Sequence, residues 1–241
     1  MPALVFRLIA SLLLLTASVR GGGFEEAGAL YAAGDYAKAA DACEQLIKSS
    51  GPTAARLFNL GNARYRLGQY GPAILAYERA ALLAPRDNAI AANLKLAREA
   101  AKTPEPVPQR PWWQEIFYWL SLREYTWMAV CGAVLAGLAG LVSGILGWRR
   151  RLVRPVCLAG LAVGLCLTAL GVAAAWWRQD ELQLGIITAE NPTVRLSPFA
   201  TADSAGTPGT GRRVMLSERT RGWVYLRVPD STIAGWLPES E

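Results

Sequence analysis

Apolar positions follow three different rhythms along this chain of 241 residues. Between residues 24 and 102, small and apolar side chains fall at helical spacing among charged ones, which predicts a set of amphipathic helices. From Trp127 to Trp148, and again from Val156 to Trp177, no charged residue interrupts the apolar run. Each run matches the roughly 20 residues that a helix needs to cross the hydrocarbon core of a membrane. From Gly185 onward, short stretches alternate or are β-branched and aromatic. They predict strands over Gly185–Ala189, Thr193–Leu196, Arg213–Leu216, Trp223–Val228 and Ile233–Trp236. The Gly-, Ser-, Thr- and Pro-rich stretch Thr201–Gly211 reads as a mobile loop.

The two long runs are joined by Arg149-Arg150-Arg151-Leu152-Val153-Arg154-Pro155. Residues 125–148 and 156–177 therefore read as a transmembrane hairpin, with residues 149–155 as its basic turn. Arginines Arg149, Arg150, Arg151 and Arg154 favour the cytoplasmic side for that turn, which puts both flanking segments on the other side. Trp148 at one end and Trp127, Trp176 and Trp177 at the other suit the two membrane interfaces. Gly140–Gly144 and Gly160–Gly164 are small-xxx-small patterns that let helix backbones approach, within the pair or on a partner's helix. The alternative is that both helices form the buried core of a soluble domain.

The start of the chain reads as a secretory leader over residues 1–22. Arg7 precedes an uncharged run from Leu8 to Val19, and small residues Thr16, Ala17 and Ser18 offer a cleavage site. An uncleaved anchor is the alternative, and both place the next segment outside the cytoplasm. Residues 103–124 link the helices to the hairpin. Their first part, Thr103 to Pro111, carries four prolines and makes a stiff spacer. Trp112, Trp113, Phe117, Tyr118 and Trp119 follow, as in an interfacial helix or, alternatively, a binding platform.

Within residues 24–102 the sequence repeats. Gly34-Asp35-Tyr36 with Ala39 returns as Gly68-Gln69-Tyr70 with Ala73, a period of about 34 residues that marks helix-turn-helix solenoids. Leu57, Leu60, Gly61, Ala73, Tyr77, Ala80 and Pro85 stand at the spacings of a tetratricopeptide repeat, which Ala54–Asp87 resembles. Arg64 departs from the pattern, which usually has an aromatic there. The first unit departs at Ala27 and Cys43, where glycine and an aromatic are usual. A half unit follows from Asn88 to about Ala101. The resemblance implies a concave groove lined by the first helix of each unit, with Phe58, Asn59, Asn62, Tyr65, Arg66 and Asn93 as candidate partner-binding residues. Asparagine amides both donate and accept, as a peptide backbone requires, and Arg66 suits a carboxylate. Asn59 and Asn62 have an alternative role in contacts between the repeat's own turns.

Residues 185–241 resemble a bacterial SH3-like domain through Val194–Pro198, Gly222–Leu226 and the Gly235-Trp236 ending. Trp223 and Trp236 are expected in the core of its barrel, with ligand contact as the alternative. The whole chain is then a multidomain membrane protein: an α-solenoid, a transmembrane hairpin and a small all-β barrel. That layout resembles the BatE type of Bacteroides aerotolerance family. The resemblance implies a bacterial inner-membrane protein whose repeats and SH3-like domain face the periplasm. It implies partners among von Willebrand A-domain membrane proteins of a Bat/MoxR system.

Composition narrows the chemistry. The net charge is +6, but the excess lies in the leader, the linker and the arginine turn, so no nucleic-acid face is expected. There is no histidine, which removes Ser–His and Cys–His pairs and the commonest metal ligand. The four cysteines fit neither a disulfide framework nor a metal site. The expectation is a non-enzymatic scaffold without catalytic residues, metal or cofactor. The alternative function is a cell-wall sensor whose SH3-like domain contacts peptidoglycan.

Overall fold

The computed structural model describes residues 23–103, 118–146, 153–177, 184–229 and 231–239. The chain divides into two compact units. One combines the N-terminal helices with the C-terminal sheet, and the other is the helical hairpin. The expected leader, most of the linker with Trp112, Trp113 and Phe117, and the turn arginines Arg149, Arg150 and Arg151 lie outside the described residues.

The first unit opens with helices α1 (residues 23–32), α2 (Tyr36–Ser50), α3 (Ala54–Arg66), α4 (Tyr70–Leu83) and α5 (Asn88–Ala100). The repeat is visible in its turns. Gly34 and Gly68 both take the left-handed conformation, at φ 83° and 74°. Gly68 N–H donates to Tyr65 O and Gln69 N–H to Arg64 O, both at 3.0 Å, and the same pair of bonds forms at Gly34 and Asp35. This arrangement satisfies the last carbonyls of a helix and needs a residue without Cβ strain. Thr53 caps α3 by accepting from Arg56 N, and Asp87 caps α5 by accepting from Ala89 N and Ile90 N. Pro72 falls in the first turn of α4, where its missing N–H has no helical partner to lose.

Packing explains the departures in the first unit. At Gly61 a Cβ would lie 2.5 Å from the Tyr77 ring, so the absent side chain makes room for the aromatic. One period earlier both sizes are exchanged: Ala27 stands for Gly61 and Cys43 for Tyr77, and both are buried. A larger residue on one helix is met by a smaller one on its mate, as close packing requires. Ala39, Ala40 and Ala63 form one core cluster, and Ala73, Ile74, Tyr77, Leu94 and Ala97 form the next.

The sheet contains β1 (Leu184–Ile186), β2 (Val194–Arg195), β3 (Ser204–Gly206), β4 (Arg213–Thr220), β5 (Trp223–Arg227) and β6 (Ala234–Pro238), in the order β1-β4-β5-β6-β2-β3. The sheet is antiparallel and open, with β1 and β3 at its edges, so among the described residues the expected barrel is not closed. Strand β3 lies inside the stretch expected to be a mobile loop, and it pairs with β2. The β4–β5 hairpin turns on Arg221 and Gly222, both at positive φ, as a two-residue turn matching strand twist demands. The core is Ile187, Val194, Val214, Leu226, Val228 and Leu237. At Gly235 strand β2 passes so close that a Cβ there would run into the Arg195 carbonyl oxygen.

Sheet and helices share one body. Ile186 packs into the cluster around Tyr77, and Thr103 Oγ1 donates to Thr210 O at 2.5 Å. Arg213 donates to Glu78 from both Nε (2.9 Å) and Nη2 (2.5 Å).

The second unit holds α6 (Leu122–Leu146) and α7 (Val153–Trp177). Ser121 and Glu124 form a capping box at the start of α6: Ser121 N–H donates to Glu124 Oε2 at 2.7 Å, and Glu124 N–H to Ser121 Oγ at 3.3 Å. Both helices are long and apolar enough to cross a membrane, with mean hydropathy 2.1 and 2.3 over the most apolar 18-residue window of Leu122–Ile145 and of Val153–Trp176. Only 11% and 17% of these windows is buried, so they are not the buried core of this chain. They meet along a seam of small residues. Gly164 faces Gly132 and Ala136, Gly171 faces Tyr125 and Ala129, and Gly160 faces Ala139. Thr168 Oγ1 donates to Gly164 O at 2.8 Å and lies 3.3 Å from Ala129 O. Gly160–Gly164 is therefore in the seam, whereas Gly140 and Gly144 have no neighbour within 4 Å where a Cβ would point. The seam on α6 follows Tyr125, Ala129, Gly132, Ala136 and Ala139 at alternating three- and four-residue steps, and Gly140 falls off that line.

Candidate functional site

Helix α3 presents two different faces. The residues expected in the concave groove lie on one of them. Phe58 packs against Tyr77, with ring centroids 5.9 Å apart, and Tyr65 packs against Tyr70 at 5.6 Å. Asn62 Oδ1 accepts from Tyr77 Oη at 2.7 Å and from Asn93 Nδ2 at 2.8 Å. Arg66 is exposed, and its guanidinium carbon lies 4.5 Å from the centroid of the Tyr36 ring, a cation–π contact. Asn59 is half-buried on the same helix. The fold thus brings Phe58, Asn62, Tyr65 and Asn93 together, but around Tyr77. Asn62 and Asn93 are tied to each other and to Tyr77 by contacts between the helices, a role that the sequence left open for Asn62 but not for Asn93. Burial pushes the Tyr77 phenol far above its ordinary range, so it stays a hydrogen-bond donor.

The opposite face of α3 borders a cavity of about 420 Å³ between α2 and α4. Ile47, Leu57, Leu60, Pro72, Leu75 and Ala76 line it with apolar surface; Glu44, Lys48, Arg64, Arg79 and Thr188 supply its polar edge. Arg64 stands where the repeat usually has an aromatic, and its guanidinium reaches Glu44 Oε1 at 2.5 Å and Gln69 Oε1 at 2.6 Å. Lys48 and Arg79 make no ion pair among the described residues. This cavity was missed from sequence. Its one signal was the departure at Arg64, a flexible cation in place of a filling ring. Nearby Cys43 is buried, and its thiol is held above the usual range by that burial and by Glu44. It is accordingly a packing residue with little thiolate.

The remaining candidates lie elsewhere. Trp223 and Trp236 are half-buried and outside the sheet core. The residues alternating with them, Val224, Leu226 and Leu237, point inward. The expectation of core tryptophans is thereby corrected: the apolar core already takes the other side of β5 and β6. Trp236 instead packs edge-on against Tyr225 at 5.4 Å. Arg154 lies in the first turn of α7. Among the described residues, no group of three or more His, Cys, Asp or Glu side chains converges as a metal site.

Residues 54–87 match the model of the tetratricopeptide repeat family, which covers α3, α4 and the turn that follows. No curated protein matches the chain.

Proposed function

We propose that this protein is a non-enzymatic, membrane-anchored scaffold whose repeats bind a protein partner. The observation that carries the reading is the helix pair matching the tetratricopeptide repeat, a unit that suggests protein–protein interaction. It stands in one chain with two helices long and apolar enough to cross a membrane. The hairpin anchors the chain in a bacterial inner membrane, with the arginine turn on the cytoplasmic side. The repeats and the SH3-like sheet then face the periplasm together. A shared unit of helices and sheet agrees with that arrangement, because two crossings return the chain to its starting side. The concave face of α3 grips the partner, with Arg66 and Asn59 as its most available polar groups, and the sheet adds a second contact. Two modest contacts on one anchored body gain affinity through effective concentration.

The domain order supports a place in a Bat-type aerotolerance complex beside von Willebrand A-domain membrane proteins. Mass spectrometry of material co-purified with the tagged full-length protein, after mild crosslinking in native membranes, tests this. Recovery of such proteins, lost in an Arg66→Glu variant that still folds, is the expected result. Recovery of wall fragments or wall enzymes alone would move the weight to a cell-wall sensor. The observation favouring that second reading is the half-exposed pair Tyr225 and Trp236 on the sheet's outer face, an aromatic surface suited to stacking on a sugar or a peptide.

A further inference from the structure

The cavity between α2 and α4 is a site that the concave-groove reading does not use. It lies on the other side of α3, and its origin is local. An aromatic at position 64 would fill the space between the two helices, whereas Arg64 is drawn aside by Glu44 and Gln69. The space left is about 420 Å³, toward the lower end of the 300–1,000 Å³ typical of ligand sites. Its floor is aliphatic, and the half-buried Leu60 and Leu75 would lose contact with water if an apolar group entered.

Charge at the edge selects among apolar ligands. Glu44 is neutralised by Arg64, which leaves Lys48 and Arg79, one from α2 and one from α4, as cations without an ion-pair partner among the described residues. The edge is therefore net positive around an apolar floor. The complementary occupant carries an aliphatic side chain flanked by carboxylates. We propose that this cavity is a second binding site, for an acidic protein segment that inserts a leucine-sized side chain between α2 and α4 and sets its carboxylates against Lys48 and Arg79. One period later the same surface is closed: Glu78 and Arg98 pair there too, and Arg213 from the sheet covers them. The chain itself thus illustrates that a protein segment from outside the helices can seat on this side of the array.

The test uses the full-length protein in detergent micelles and a fluorescein-labelled peptide of alternating leucine and aspartate, read by anisotropy. Its asparagine analogue serves as the neutral comparison. Expected is binding of the acidic peptide, weakening as salt is raised to 0.5 M, with at least about tenfold weaker binding of the neutral one. Lys48→Glu with Arg79→Glu, both at exposed positions, should weaken the acidic peptide by about tenfold or more, the scale of two partly solvated charge pairs. Leu75→Phe, which fills the cavity without changing charge, should also weaken it. Equal binding of the two peptides, or no effect of the charge reversal, overturns the proposal. So does loss of binding in Arg66→Glu, which would put the peptide in the concave groove. Full displacement by decanoate with no charge preference among peptides would make the site one for fatty acids and would likewise overturn it.

Discussion

The two intervals of the helical stack are built from the same pair of residues and end in different states. Glu44 on α2 meets Arg64 on α3; one period later, Glu78 on α4 meets Arg98 on α5. The first pair is partly open, with side chains 37% and 23% exposed, whereas the second is 13% and 9% exposed. The difference is Arg213, which reaches from β4 to hold the second oxygen of Glu78. The same ion pair is thus a surface staple in one interval and a buried junction in the other. What covers it, rather than its own geometry, decides its energetic weight.

The largest effect that would break this comparison is expected at the covered carboxylate. Glu78→Ala removes the buried carboxylate that Arg98 and Arg213 share and should cost about 3 kcal/mol, read by chemical denaturation of the detergent-solubilised protein. Arg213→Ala leaves Glu78 paired with Arg98 but removes a charged hydrogen-bonding partner, an expected loss of about 2 kcal/mol. If helices and sheet are one cooperative body, the sheet and helix signals should still move together in that variant. Separate transitions would mean that Arg213 is what joins them.

Tyr77 sharpens the comparison, since its counterpart one period earlier is the buried Cys43. Its phenol titrates higher in the folded protein than its ordinary value of 10.0, because burial disfavours the phenolate. The folded state therefore holds its proton more tightly. The associated stability is complete below about pH 10 and declines as pH rises above it. Tyr77→Phe should cost about 1 kcal/mol near neutral pH, through Asn62 losing a donor. The gap to the wild type should then shrink between pH 9 and 11 in urea melts. A constant gap would mean that the phenol is not sealed. The smallest effect belongs to the open interval: Glu44→Ala should cost less than about 1 kcal/mol. A loss comparable to that of Glu78→Ala would remove the distinction between the intervals.

Much of the architecture was legible because it depends on spacing. The glycine turns, the period linking Gly34 to Gly68 and the charge-free runs of the hairpin are all set by residues near one another in sequence. The site was less legible because it depends on what meets what. Asn62 carries the composition of a groove residue, but its carbonyl is taken by Tyr77 and Asn93, partners visible only once α4 and α5 are placed. Trp223 and Trp236 alternate with Val224, Leu226 and Leu237 in strands apolar on both faces, so periodicity could not tell inside from outside. Gly140 and Gly144 share the spacing of Gly160 and Gly164, but the line of contact on α6 runs past them. The cavity beside Arg64 is a matter of volume, set by where one long side chain swings.

The bond between Glu78 and Arg213 joins residues 135 positions apart. A ribosome releases the helices long before the strand that completes them. Until β4 emerges, the Glu78–Arg98 pair, the Ile74 edge of α4 and the neighbouring surface of α5 stay wet and unfinished. Closing so long a loop adds to the entropic cost of the final step and slows it relative to local helix formation. The nascent array is thus a waiting intermediate, open to proteases and chaperones for as long as the intervening helices take to be made.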